Sequence, residues 1–175
     1  MRAILHCPPA VFLILTPYAI GLAADHAANH SGEELKADKI VIYKKQRTMN
    51  LLNKGRILKA YRIALGGTPE GAKQREGDHK TPEGLYIIDS RNPKSRFHLA
   101  LHISYPSAAD RTRARRLGAN PGGAIMIHGL GKEFGRIGSR HTLTDWTDGC
   151  IAVTNEEIEE IWRLAPLSTP VEILP

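Results

Sequence analysis

The chain has 175 residues, 42% of them hydrophobic and 24% charged, with a formal net charge of +6. That suits one globular domain plus a leader. Without zinc-finger spacing, an RNA-binding aromatic signature or a long basic helix, nucleic acid is set aside as a partner, and the excess cations read as a solvated surface or a face for an anionic membrane surface or an acidic polymer. Sixteen glycines and eleven prolines favour turns and short strands over long helices.

Met1-Arg2-Ala3 is a short positive start, Pro9 to Ala24 is apolar apart from Thr16 and Tyr18, and small residues precede Asp25. This is the layout of a secretory signal peptide over residues 1–24, with cleavage expected after Ala23 or Ala24. The run is too short, and too broken by Pro17, for a membrane span, so membrane contact is expected only through an uncleaved leader. Cys7 departs with the leader and leaves Cys150 as a lone cysteine, unable to form an internal disulfide. Residues 25–37 read as a flexible segment and 38–175 as the domain.

Asp38 to Lys44 predicts a strand around Ile40-Val41-Ile42-Tyr43, with a second over Met49 to Leu52. Asn53-Lys54-Gly55 predicts a hairpin turn into a longer strand, Ile57 to Leu65. Residues 67–84 are too polar and too rich in glycine and proline for a core element. Leu85 to Asp89 predicts a strand, Asn92 to Ser95 a turn, and Phe97 to Ser104 an alternating strand. His98 and His102 share a face of that strand about 13 Å apart, too far for one metal. Pro106 to Leu117 predicts a helix capped by Ser107, with Asp110 in its first turn, three arginines near its end and Gly118 as left-handed cap.

Pro121-Gly122-Gly123 turns the chain into Ala124 to His128, an apolar run that predicts a buried strand with His128 at its rim. A loop is expected from Gly129 to Asp148. Thr154 and Glu157 form a capping box for a helix with Ile158, Ile161, Trp162 and Ala165 on one face, and Pro170 to Leu174 predicts a closing strand. The pattern predicts a mainly β domain with short helices and Greek-key or barrel-like character.

Cysteine and histidine are the minimal apparatus for nucleophilic acyl transfer. Cys150 and His128 are 22 residues apart, so only the fold can bring them together. A thiol at its ordinary pKa is only a few per cent thiolate at neutral pH. His128 as base, the N-terminus of the helix near Asn155, and Arg136 or Arg140 are the candidate activators. The amides of Gly149 and Cys150 are candidate oxyanion donors, and Asp148 beside the thiol opposes its ionisation. His141, nine residues before Cys150, is a second candidate base or substrate contact. The alternative is a satisfied strand-end histidine and a packed cysteine. A zinc site from Cys150, His128, His141 and Asp148 lacks close paired spacing. A papain-like arrangement lacks a histidine after Cys150.

Gly77-Asp78-His79-Lys80-Thr81-Pro82-Glu83-Gly84, Ile127-His128-Gly129 and Thr147-Asp148-Gly149-Cys150-Ile151 together resemble the L,D-transpeptidase catalytic domain, also called the YkuD domain, over about residues 38–174. The resemblance implies a β-sandwich-like or mixed-barrel domain with a catalytic groove. It implies acyl transfer on peptidoglycan stem peptides in the periplasm or cell envelope, with Cys150 as nucleophile, His128 as base and a thioester at the diaminopimelate carbonyl. Gly149, Thr147, Asp148 and Gly129 would position the substrate, and no cofactor or metal is implied. Many relatives carry histidine or arginine where Asp148 stands, and arginine or asparagine where Ala152 stands. Arg136 or Arg140 is the candidate replacement, and His141 a candidate substrate contact. The 145–152 form resembles a branch that includes the periplasmic hydrolase releasing Braun's lipoprotein from peptidoglycan. Hydrolysis, with wall-linked lipoprotein as a partner, is therefore an alternative to cross-linking, and a catalytically silent wall-binding domain is another.

Overall fold

The computed structural model describes residues 35–175. The expected leader, Cys7 and most of the expected flexible segment lie outside the described residues. Eight strands make one mixed sheet: β1 (Lys39–Tyr43), β2 (Thr48–Asn53), β3 (Arg56–Arg62), β4 (Gly84–Ser95), β5 (His98–Ile103), β6 (Met126–His128), β7 (Ile151–Ala152) and β8 (Pro170–Leu174). Their spatial order is β3-β2-β1-β8-β4-β5-β6-β7. β1 runs parallel to β8, and β6 parallel to β7; the other neighbours are antiparallel.

The two ends of that order meet. Beyond β3 the chain bends, and Ala64 exchanges backbone hydrogen bonds of 3.0 and 2.9 Å with Ala152 on β7. Gly67 N–H then donates to Thr147 O at 3.0 Å. The sheet is thereby closed into a mixed barrel, which removes its open edges. Ile40, Ile42, Met49, Leu51, Ile63 and Ile88 fill it, together with Ile127 and Ile151 from the strands that flank the site.

Three α-helices lie outside the sheet among the described residues: α1 (Ala108–Arg116), α2 (Gly131–Phe134) and α3 (Asn155–Leu164). Both capping boxes form, Ser107 with Asp110 and Thr154 with Glu157. α3 buries Ile158, Ile161 and Leu164. The Arg91 guanidinium lies 4.8 Å over Trp162 and donates to the carbonyls of Trp162 and Ala165.

Four boundaries differ from the sequence expectation. β3 stops at Arg62, because the segment after it turns to close the barrel. Asn92 to Ser95 is the end of β4 and not a turn. A register shift between Asn92 and Ser95 accommodates Pro93, which has no N–H to give the ladder, and the turn falls on Arg96 and Phe97. β6 is shorter than Ala124 to His128, since Ala124 takes a positive φ of 55°. The 129–148 loop contains α2 and a 3-10 stretch, Gly135–Leu143, kinked at Gly138.

Candidate active site

Cys150 precedes β7 and His128 ends β6. In the parallel register Ile127 faces Ile151 and His128 faces Ala152, which sets Cys150 level with Met126. Side chains two residues apart on a strand share a face. Cys150 and His128 therefore point to the same side of the sheet, and Ile127 and Ile151 point into the core on the other. The level difference of two residues is about 7 Å along the strand.

His128 is 1% exposed. Its ring stacks on Phe97 at 4.4 Å and meets the edge of Trp146 at 5.9 Å. Nδ1 donates to the Gly129 carbonyl at 2.7 Å, an arrangement that fixes the tautomer and leaves Nε2 as the basic nitrogen. Burial lowers the imidazole pKa to about 4, with the Arg96 charge adding to the effect and the Gly129 contact opposing it. At neutral pH the ring is an uncharged base.

Cys150 is partly exposed and is the free cysteine among the described residues. Its Sγ–H donates to the Ala124 carbonyl at 3.6 Å. Burial pushes the thiol up, and Asp148 adds to the shift. The Met126 amide, Lys73 and Arg96 pull it down without cancelling the burial. The resting pair is thus neutral thiol and neutral imidazole. Of the opposing influences on the thiol, burial is the largest.

The turn before Cys150 is held from three directions. Thr147 Oγ1 donates to Cys150 O at 2.8 Å and accepts from Gly149 N–H at 3.1 Å. The Gly149 amide is therefore committed, which removes it from the expected pair of oxyanion donors. Gly149 has φ of 121°, and a Cβ there would collide with the Lys80 carbonyl oxygen. Asp148 accepts from His79 Nδ1 at 2.8 Å, and both side chains are exposed. Asp145 binds Arg47 at 2.9 and 2.7 Å and accepts from Leu65 N–H at 2.9 Å. Replacing Thr147 by Val removes both hydroxyl bonds at nearly constant volume. It is expected to cost about 1–3 kcal/mol in urea unfolding and to slow reaction at Cys150.

The 77–84 loop is braced behind the thiol. Burial works against the Asp78 charge, but the Lys73 ammonium and the backbone N–H groups of Gln74, Arg75 and Lys80 outweigh it and hold the carboxyl at about 2. Gly129 closes against Phe97 and Asn155, and Asn155 Oδ1 accepts from Leu130 N–H at 2.8 Å.

The remaining expected residues lie farther out. Arg136 and Arg140 are exposed on the 3-10 stretch. His141 is 3% exposed, and neither ring nitrogen has a protein partner. Arg140 and His141 line a hollow of about 300 Å³ with Phe134, Ile137 and Trp146. A larger groove of about 820 Å³ runs along the tip of the β4–β5 hairpin and α2, past Phe97. His98 and His102 pair with Glu159 and Asp89, each at 2.6 Å. Among the described residues no group of three or more His, Cys, Asp and Glu is placed to hold a metal. His79, Arg96, Phe97, Asp145 and Trp146 all help build the site, yet none stands out in the sequence as a site residue. His79 lies inside the 77–84 motif and Asp145 and Trp146 inside the 145–152 form, whereas Arg96 and Phe97 carried no signal.

A closed mixed β-barrel with an imidazole at the end of one strand and a thiol just before the parallel strand beside it defines a class of candidate cysteine-dependent enzymes. The family model for the YkuD L,D-transpeptidase catalytic domain matches residues 37–173, and the chain belongs to that family. It is 33% identical over 130 residues to the Escherichia coli K12 protein named "Putative L,D-transpeptidase YafK", covering 71% of this chain and 45% of that one. Among solved structures it is similar to the helical cell shape determining protein Pgp2 of Campylobacter jejuni, with 27% identity, TM-score 0.59, and 77% and 46% of the two chains covered. It is also similar to Bd1075 of Bdellovibrio bacteriovorus, with 28% identity, TM-score 0.55, and 78% and 47% covered. The L,D-transpeptidase of Mycobacterium smegmatis, at 11% identity and TM-score 0.51, shares the fold. The chain spans about half the length of the relatives it matches.

Proposed function

We propose that the chain is an exported cysteine acyltransferase that acts on peptidoglycan stem peptides through a thioester at the diaminopimelate carbonyl. The observation that carries this reading is the neutral imidazole of His128, with Nε2 free, on the same sheet face as the Cys150 thiol. Family membership and the similarity to Pgp2, a helical cell shape determining protein, support a wall substrate. The leader expected over residues 1–24 supports export to the periplasm or cell envelope.

Sγ attacks the carbonyl carbon as its proton passes to His128 Nε2. The developing oxyanion takes the Cys150 amide as donor, and Thr147 holds that turn in place. The C–N bond then breaks, and the leaving amine takes the proton from His128. An amine or water attacks the thioester, its proton passes to His128, the C–S bond breaks and the thiol is restored. With an amine acceptor the product is a cross-link. With water it is a shortened stem, or a lipoprotein released from the wall.

The test is mass spectrometry of the protein and of muropeptides after incubation together. The expected result is a covalent stem-peptide adduct on Cys150, with either diaminopimelate-linked dimers or shortened stems. No adduct and no product from any wall substrate sinks the reading.

A further inference from the structure

The groove along the β4–β5 hairpin holds three cations, Lys94, Arg96 and Lys132, against one carboxylate, Glu133. None of the three has a carboxylate partner among the described residues. Arg96 is the one joined to the reacting groups. Its guanidinium lies 4.6 Å over the Phe97 ring, and Phe97 stacks 4.4 Å from His128. The guanidinium is therefore within about 9 Å of the imidazole, and its charge acts on both His128 and Cys150.

The backbone beneath it is pinned. A Cβ at Gly131, which has φ of 75°, would collide with the Arg96 carbonyl oxygen, so α2 packs directly on the hairpin tip. Gly129 N–H donates to Leu99 O at 3.2 Å on the same hairpin. The other cation whose charge reaches the thiol, Lys73, is bound to Asp78 at 2.7 Å and is 4% exposed. It also donates to Arg75 O at 3.0 Å, so it is paired and buried where Arg96 is not.

We propose that Arg96 holds the free α-carboxylate of the residue that leaves when Cys150 attacks, so that the site reads the end of a peptide chain. The inference rests on the acyl-transfer reading above. In a peptide the α-carboxylate of the last residue is three bonds from the carbonyl carbon before it. A carbonyl within about 3.5 Å of the nucleophile keeps its terminal carboxylate three bonds from the reacting carbon, and Arg96 is the unpaired cation whose charge reaches both Cys150 and His128. A guanidinium meets a carboxylate in two parallel N–H···O bonds, and Phe97 beneath it keeps the fork in one plane. Arg96 acts as a positioning and specificity residue on the donor. Lys94 and Lys132 line the same groove.

The probes are the stem tetrapeptide ending in a free acid and the same peptide ending in a carboxamide. Each is tested in two ways: binding to Cys150→Ala protein and turnover by protein with Cys150 intact. Binding decides the carboxylate site, and turnover decides the chemistry. The expected result is tighter binding of the free acid by about 10- to 100-fold. Arg96→Gln should erase that preference by weakening the acid and leaving the amide unchanged, and Arg96→Lys should restore part of it. The amide also controls for any effect of the Arg96 charge on the thiol itself. Equal binding of acid and amide, or an Arg96→Gln loss that is the same for both, overturns the inference. Arg96-dependent preference in binding without turnover of either peptide leaves the carboxylate site standing and removes the acyl-transfer reading.

Discussion

Replacing Cys150 by Ala is expected to lower turnover of stem peptides by on the order of 10⁴- to 10⁶-fold, the scale of losing a nucleophile. No covalent adduct should form. Ser at the same position keeps the size and a hydrogen-bond donor toward the Ala124 carbonyl, yet it should rescue little. A hydroxyl is far harder to ionise than a thiol, and the base beside it is weak, with burial lowering the His128 pKa to about 4. Both variants should fold as the parent does. The side chain is small, lies at the rim of β7, and its sulfur meets backbone, the Ala124 carbonyl and the Met126 amide. Intact-mass measurement and peptide turnover, alongside circular dichroism, check this. Residual turnover above about a hundredth of the parent rate would place the nucleophile elsewhere.

What was legible in the sequence was local. Ser107 with Asp110 and Thr154 with Glu157 announce helix starts because each box closes within three residues. Lys54 and Gly55 adopt positive φ of 49° and 77°, as the Asn53-Lys54-Gly55 turn predicts. The order of the motifs around His128 and Cys150 marked the two strands that carry the site.

What was not legible depends on contacts between distant residues. Ala64 and Ala152 close the barrel from 88 positions apart. Asp145 is tied to Arg47 across 98 positions, and no spacing rule links them. Pro93 reads as a turn, but the bulge that absorbs it is a property of the pairing with β5. Arg96 reads as a hairpin residue. Its place at the site follows from Phe97 lying on His128, whereas Arg136 and Arg140, nearer to Cys150 in sequence, sit on an exposed 3-10 stretch.

The protonation state of the pair was also hidden, since it is set by burial. It governs the second large effect. His128→Gln is expected to slow acylation by about 10²- to 10⁴-fold, the usual worth of a positioned base. In the parent protein, acylation should fall as pH drops, with a midpoint near 4, because protonated His128 cannot accept the thiol proton. The burial that pushes the thiol up should also make alkylation of Cys150 by iodoacetamide at pH 7 slower than that of free cysteine, rising steadily with pH. Fast alkylation with a plateau through neutral pH would instead mean a resting thiolate–imidazolium pair.

The same buried imidazole sets a stability signature that Gln would remove. The His128 pKa is lower in the folded state than in the unfolded chain. Between about pH 6.5 and 4 the unfolded state therefore binds more protons, and stability is lost as pH falls through that window. The drop from a reference of 6.5 to about 4 corresponds to about 3 kcal/mol at the full extent of the window. Urea unfolding of parent and His128→Gln proteins at pH 7 and pH 4 should show this loss in the parent and a smaller one in the variant. Equal losses would mean that the ring is solvated in the folded state. A solvated ring would be incompatible with a dry, neutral base packed between Phe97 and Trp146.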